Sequence, residues 1–273
     1  NWLRQEPYVR AWSQAYRDDG LVVIGAHTPE FSFEHDIDLV RRATEEREID
    51  YPVAVDNDYG IWSAFDNHYW PALYVVDRDG VIRDQHFGEG RYEQSERAIR
   101  ELLGVERELV PVEGLGVEAE ADWDHLRTPE TYLGYGRGER FASADGAAPN
   151  EASAYELPER LRSNHWALAG TWTIGRENVV LDQTGGSIAF RFDARDAHLV
   201  LSPGAHEPMR FRVLVDGEPP GPSHGVDVDD DGNGVLRDGR MYQLVRQHDT
   251  VRERTLEITF LEAGAEAYAF TFG

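Results

Sequence analysis

The segment NHYWPALYVVDRDGVIRDQHFGEG, Asn67 to Gly90, decides how this chain is read. Ala72 to Asp77 is a short apolar run rich in Val and Tyr, and Val81 to Phe87 is a second run with weaker alternation. Asp77-Arg78-Asp79-Gly80 lies between them, and Asp-Gly is a strong hairpin signal because glycine accepts positive φ at no steric cost. The pattern predicts an antiparallel hairpin. Trp70-Pro71 stands at its entrance, where a proline that cannot donate to a ladder marks the start of a strand. Beyond the hairpin, Ala98, Ile99, Leu102 and Leu103 form one helical stripe within Glu93 to Leu103, closed by Gly104.

Working back towards Asn1, helix and strand signals alternate. Trp2 to Tyr16 reads as a helix with Pro7 inside it. Leu21 to Ala26 reads as a continuous apolar strand of the kind buried on both faces. Ser32 to Arg47 reads as one acidic amphipathic helix with Phe33, Ile37 and Val40 on a side, Tyr51 to Val55 as a strand, and Asp58 to Phe65 as a short helix. Residues 109–127 differ in texture: Pro111, Gly114 and Gly116 among glutamates read as a connector. After Thr128 the helix signals mostly vanish. Alternation such as Ile188, Phe190, Phe192 and Leu256, Ile258, Phe260 recurs between Gly and Asp-Gly turns, which points to an antiparallel sandwich or jelly roll. The expected architecture is an α/β domain over 1–108, a linker over 109–127 and an all-β, jelly-roll-like sandwich over 128–273.

Composition narrows the function classes. The 273 residues carry 51 acids against 27 bases, a net charge of −24, and every base is arginine. Such a surface lacks the basic patches that nucleic acid or anionic lipid requires. No apolar run reaches the length of a membrane span. The sequence has no initiator Met and no signal peptide, and its first residues already read as helix, so an N-terminal segment is expected upstream. It contains no cysteine, which removes structural disulfides and cysteine–zinc sites.

Three stretches, LVVIGAHTPEF, YPVAVDNDYGIW and YWPALYVVDRDGVIRDQHFGEG, resemble in order and spacing the thioredoxin-like redoxin family, its AhpC/TSA (peroxiredoxin) and TlpA-like group. The ending EAYAFTFG and the stretch GVDVDDDGNG resemble the carbohydrate-binding-module-like β-domain that some bacterial members carry at the C-terminus. The resemblance implies an oxidoreductase of the thiol–disulfide or antioxidant type, acting outside the cytoplasm, with a cis Trp70-Pro71 bond beside the active edge. In that family a Cys-x-x-Cys motif opens the first helix. NWLRQEPYVRAW resembles the residues after the first cysteine, with Trp2 where the second would stand and the first lying before Asn1. A thiolate is the nucleophile of disulfide exchange, so the chain is expected to be redox-degenerate.

Parallel strands place their C-terminal ends on one edge, and the antiparallel hairpin begins at the same edge. On this fold Trp2, His27, Glu30, Tyr69, Trp70 and Pro71 should converge, where the family receives an extended peptide or small thiol. The alternative is that Tyr69 and Trp70 merely cap the sheet. A His27–Glu30 pair could act as acid and base, but no nucleophile accompanies it. Elsewhere, Asp227, Asp229, Asp231 and Gly232, with Asp238 at the twelfth position, match part of a calcium loop; a solvated turn is the plainer reading. Trp166, Trp172, Tyr132, Tyr135 and Tyr242 are either a glycan platform or core aromatics. His198, His206 and His224 show no ligand spacing. The competing functions are therefore a redox-family protein, active or degenerate, and a non-catalytic extracytoplasmic binder of peptide and carbohydrate.

Overall fold

A computed structural model of the chain describes residues 2–114, 116–144, 146–204 and 208–273, so Asn1 and His206 lie outside the described residues. It divides into two units, Asn1–Glu120 and Ala121–Gly273. The 109–127 stretch is thus shared. Val110 N–H donates to Glu96 Oε1 at 2.7 Å, and Arg127 N–H to the Asp193 carbonyl at 2.9 Å. Pro, Gly and Glu content signals irregular backbone, and such backbone still takes tertiary partners.

The first unit runs α1 (Trp2–Ala15), β1 (Gly25–His27), α2 (Ile37–Glu46), β2 (Val53–Val55), α3 (Gly60–Ala64), β3 (Ala72–Val76), β4 (Ile82–Phe87) and α4 (Tyr92–Leu103). β1 and β2 pair in parallel, Gly25 opposite Val53 and His27 opposite Val55. β3 and β4 form a separate antiparallel pair with Ala72 opposite Phe87. The hairpin turn is built by Asp77, whose Oδ1 accepts the N–H groups of Asp79 and Val81, each at 2.9 Å. Gly80 supplies the positive φ of 81°. Val9 and Trp12 of α1, and Tyr16 just past its end, follow helical spacing and bury against Tyr51, Val75, Tyr92 and Ile99. Glu96 of α4 is buried among them and accepts Trp12 Nε1 at 3.0 Å and the Tyr16 hydroxyl. Burial, reinforced by Glu96, pushes the Tyr16 hydroxyl up to about 12.

Two expectations for this unit need correction. Leu21 to Ala26 is not a strand buried on both faces: the ladder covers only Gly25–His27, and Val22 and Ile24 are 75% and 68% exposed while Leu21 and Val23 pack on the core. Ser32 to Arg47 is not one helix. A 3-10 turn over Ser32–His35 stops at Asp36, which then caps α2 by accepting from Asp38 N–H at 2.9 Å and Leu39 N–H at 3.4 Å. An aspartate carboxylate that satisfies orphan helix donors starts a helix rather than continuing one.

The second unit is all β: β5 (Thr131–Tyr132), β6 (Ser153–Tyr155), β7 (Trp166–Ile174), β8 (Val179–Leu181), β9 (Ser187–Phe192), β10 (Asp196–Ser202), β11 (Met209–Val215), β12 (Asn233–Leu236), β13 (Arg240–Arg246), β14 (Arg254–Phe260) and β15 (Glu266–Phe272). The path is β12-β11-β14-β9-β7-β8-β15-β10-β13, with β5 on β15 and β6 on β7. β7 serves both layers. Trp166–Ala169 pairs with β9, and the stretch from Gly170 onward pairs with β6 and β8. Gly170 makes the bend at φ 94°, and a Cβ there would lie 2.9 Å from Gly186 Cα. The two layers meet through Phe190, whose ring centroid is 4.9 Å from Phe270 and 5.1 Å from Phe272. Trp172 meets Phe260 at 6.0 Å and Phe211 meets Tyr242 at 6.2 Å. This is the expected order of an α/β domain followed by a β-sandwich.

Candidate functional site

The site grows from the end of β1. The His27 carbonyl accepts Asp56 N–H at 2.9 Å, and Thr28 Oγ1 donates to Asp56 Oδ2 at 2.9 Å. Asp56 is buried and also takes Ile61 N–H at 2.7 Å and Trp62 N–H at 2.9 Å. Burial pushes this carboxyl up, but those amides and the Thr28 hydroxyl outweigh it and hold it below the usual range. One carboxylate thereby fastens the loop after β1 to the start of α3.

Across from that loop stands Trp70. Its Nε1 donates to the Thr28 carbonyl at 3.0 Å, and its ring lies 4.1 Å from Trp62. The Trp70-Pro71 peptide is cis. The Pro71 carbonyl accepts Gly88 N–H at 2.8 Å. Next to Gly88, Glu89 receives Arg4 Nη1 at 2.9 and 3.0 Å, a pair that is buried on both sides. The first turn of α1 is therefore tied to the Pro71 loop. Tyr69 turns the other way, onto Phe87 at 5.1 Å, and its carbonyl accepts Asn67 Nδ2 at 2.9 Å.

Of the six residues singled out in the sequence, the structure links His27 to Trp70 and Pro71 through Thr28. Tyr69 joins them by chain continuity. Glu30 sits in the same loop, its N–H donating to Glu34 Oε2 at 2.6 Å. His27 Nε2 meets the Glu34 carbonyl at 2.9 Å, which holds the proton on Nε2 in the neutral ring. Burial pushes the Glu34 carboxyl up, against the amides of Glu30 and Phe31. Trp2, 38% exposed at the start of α1, joins none of these hydrogen bonds among the described residues. Asp56, Arg4, Glu89 and Trp62 went unread in the sequence. An aspartate just after a strand and ahead of a short helix was the one available signal, that of a cap; the Arg4–Glu89 pair spans 85 positions and leaves none.

Chemically the edge offers aromatic walls, backbone acceptors and a hydroxyl already committed to Asp56. It offers no thiol. In the second unit, Trp166, Trp172 and Tyr242 are fully buried and form core. Tyr135 is exposed, and Tyr132 carries Arg137 over its ring at 3.4 Å. At the aspartate-rich loop, Asp227 receives Arg240 Nη2 at 2.6 Å and Gln243 N–H at 2.8 Å. Asp229 receives Asn233 N–H at 2.7 Å, and Asn233-Gly234 opens β12 on β11. Among the described residues no group of three His, Cys, Asp or Glu side chains could hold a metal. No helix among them is long and apolar enough to cross a membrane.

Comparison with known proteins agrees with this layout. Residues 128–273 match the family model described as thioredoxin like C-terminal domain. The chain is 35% identical over 222 residues to Protein DipZ of Mycobacterium tuberculosis, covering 80% of this chain and 31% of that protein. It is 30% identical over 97 residues to the thiol-disulfide oxidoreductase YkuV of Bacillus subtilis, covering 36% of this chain and 65% of that one. A solved thioredoxin-like protein in its oxidized form overlaps 37% of this chain and 68% of its own, at 29% identity and a TM-score of 0.35. The chain spans about a third of DipZ and just under two thirds of YkuV. Its first unit is thioredoxin-like, and the family match falls within its second, sheet-rich unit.

Proposed function

The chain belongs to the thioredoxin like C-terminal domain family, and from that premise we propose that it serves thiol–disulfide chemistry by binding substrate at the Pro71 edge. The substrate is an extended peptide or a small thiol, held by Trp70, Pro71, Tyr69 and the His27–Glu30 loop beside Trp2. The observation that carries this reading is the chain of contacts from Thr28 through Trp70, Pro71, Gly88 and Glu89 to Arg4, which links the loop after β1, the hairpin entrance and the first turn of α1. Preorganised backbone and ring surfaces of this kind lower the ordering cost of binding.

Exchange itself needs an attacking thiolate, and these 273 residues hold no cysteine. The chain alone is therefore expected to reduce insulin disulfides no faster than the dithiothreitol blank. An N-terminal extension that places a cysteine two residues before Asn1, combined with Trp2→Cys, is expected to restore turnover. Turnover by the unextended chain would overturn the reading. An inert two-cysteine form would instead favour the second reading, a binding protein without chemistry. An extracytoplasmic setting follows from the family resemblance and belongs to the same proposal.

A further inference from the structure

The outer face of the β3–β4 hairpin carries a chain of rings that the core does not use. Leu73 and Val75 point into the core, so Tyr74 and its neighbours on the opposite face of β3 look away from it. Tyr69 contacts Phe87 at 5.1 Å, Phe87 contacts Tyr74 at 5.8 Å, and Tyr74 contacts Phe65 at 4.9 Å. Tyr69, Phe65 and Phe87 are 55%, 42% and 37% exposed. The rings are held in place: the Tyr74 hydroxyl donates to Asn67 Oδ1 at 3.1 Å, and the same Asn67 fixes the Tyr69 carbonyl. Their planes are mutually inclined by 34°, 73° and 54°, so they do not form a flat stack. A contiguous exposed aromatic surface of this kind marks an interaction site. It is continuous with the Pro71 edge, because Tyr69, which meets Phe87, and Trp70, which meets Trp62, are adjacent.

Charge selects the occupant. Residues 1–120 contain 26 acids and 12 arginines. Asp66 stands in solvent at the ridge, next to Phe65 in sequence, with His68 at 3.3 Å as its counter-group. A negative surface repels anionic small thiols and draws in basic chains. We propose that the Phe65–Tyr74–Phe87–Tyr69 ridge binds the apolar side chains of an extended, basic polypeptide segment whose backbone runs to Pro71, so that the substrate class is protein rather than an anionic small thiol. This rests on the reading of the Pro71 edge as the substrate site. Alternate side chains of an extended segment point the same way, which suits a row of inclined rings. Aromatic anchors in fixed positions supply most of the binding energy in such contacts.

The test uses the full cysteine-free chain with three probes: the amidated peptide Gly-Lys-Phe-Ser-Leu-Lys-Gly, its analogue with glutamate in place of both lysines, and S-methylglutathione. Calorimetric titration is expected to show the basic peptide binding about tenfold or more tightly than either anionic probe, with Phe87→Ser and Tyr69→Ser each weakening it about tenfold. A nitroxide on the basic peptide should broaden the ring signals of Phe65 and Tyr74 in the unsubstituted protein, a readout that does not depend on the variants folding. Equal binding of S-methylglutathione or the acidic peptide overturns the proposal. If Trp70→Ala abolishes peptide binding while Phe65→Ser, Tyr69→Ser and Phe87→Ser leave it intact, the ridge is excluded and the Pro71 edge stands. If no probe binds, both readings fall.

Discussion

β10 in the second unit and the run from Leu21 to Ala26 in the first are both short apolar stretches with strand propensity, yet they end in opposite environments. Every residue of β10 is buried, since β13 and β15 flank it on either side and both of its faces are covered. In Leu21 to Ala26 only Gly25 and Ala26 enter a ladder, with β2 as the single partner, and alternate side chains face solvent. The same contrast holds for carboxylates. Asp196 on β10 is buried with Arg246 at 2.6 Å and Arg195 at 2.8 Å. Burial pushes Asp196 up, but the Arg246 hydrogen bond and the His198, Arg246 and Arg195 charges bring it net below the usual range. Glu6 on α1 is equally buried, with Arg10 at 2.8 Å and Arg47 at 3.4 Å. There burial wins over both arginines, and Glu118 adds to it, so its carboxyl lies above the usual range. Burial is thus a property of the neighbours that a segment finds, and the direction in which a buried carboxyl's pKa moves follows from how well those neighbours answer its charge.

The contrast is sharpest where the sandwich core is opened. Phe190→Ala removes the ring that meets Phe270 and Phe272 between the two layers. It should cost about 4 kcal/mol, the scale for emptying a buried aromatic site, read as a lowered midpoint in urea unfolding followed through the β-sheet signal. A loss comparable to that of a surface change would mean that the two layers do not pack as described.

The paired carboxylates test the electrostatic half. Asp196 has a depressed folded pKa, so it stabilises the protein at neutral pH and that contribution is lost as pH falls through the folded value. Asp196→Asn should therefore cost about 3 kcal/mol near neutral pH by stranding its arginines, and the gap to the parent should close below about pH 4. Glu6 has a raised folded pKa, so its contribution is fully present below the ordinary value and is lost as pH rises through the folded one. Glu6→Gln should match the parent to within about 1 kcal/mol at about pH 4 and gain on it towards pH 7. Thermal midpoints of both variants across that range check the opposite slopes; parallel slopes would erase the distinction between the two sites.

The smallest effect is expected at Val22. It is an apolar residue in an apolar run, yet it lies in solvent, and Val22→Ser should change stability by no more than about 0.5 kcal/mol. A large loss in chemical denaturation would show that Val22 is covered in solution.

The hairpin was legible in the sequence because its signal is local. Asp77 and Gly80 carry the turn, and the flanking runs carry the strands, all within a few residues. β9 and β14 were legible for the same reason, through their alternating Ile, Leu and Phe, whereas β5, β6 and β12 leave little local signal. β5 and β6 are two or three residues long, and β12 hides in Asn233-Gly234, which looks like a turn until β11 is placed beside it. The site was half legible. Tyr69, Trp70 and Pro71 announce themselves at a strand entrance, whereas the contact of His27 with the Glu34 carbonyl depends on a 3-10 turn that interrupts the helix read there.

By itself the sequence determined the order of an α/β unit and a β-sandwich, the absence of sulfur and with it of any exchange chemistry within these 273 residues, and the place where the hairpin starts. Each of these follows from covalent identity or from contacts between near neighbours. The tertiary structure alone decided that Thr28 would hold Trp70, that Arg4 would meet Glu89, and that Asp196 and Glu6 would shift in opposite directions. It also left Val22 and the Phe65–Phe87 ridge uncovered. Those outcomes depend on groups tens of residues apart, and a charge or an apolar side chain carries no mark in the sequence of which distant partner will reach it first.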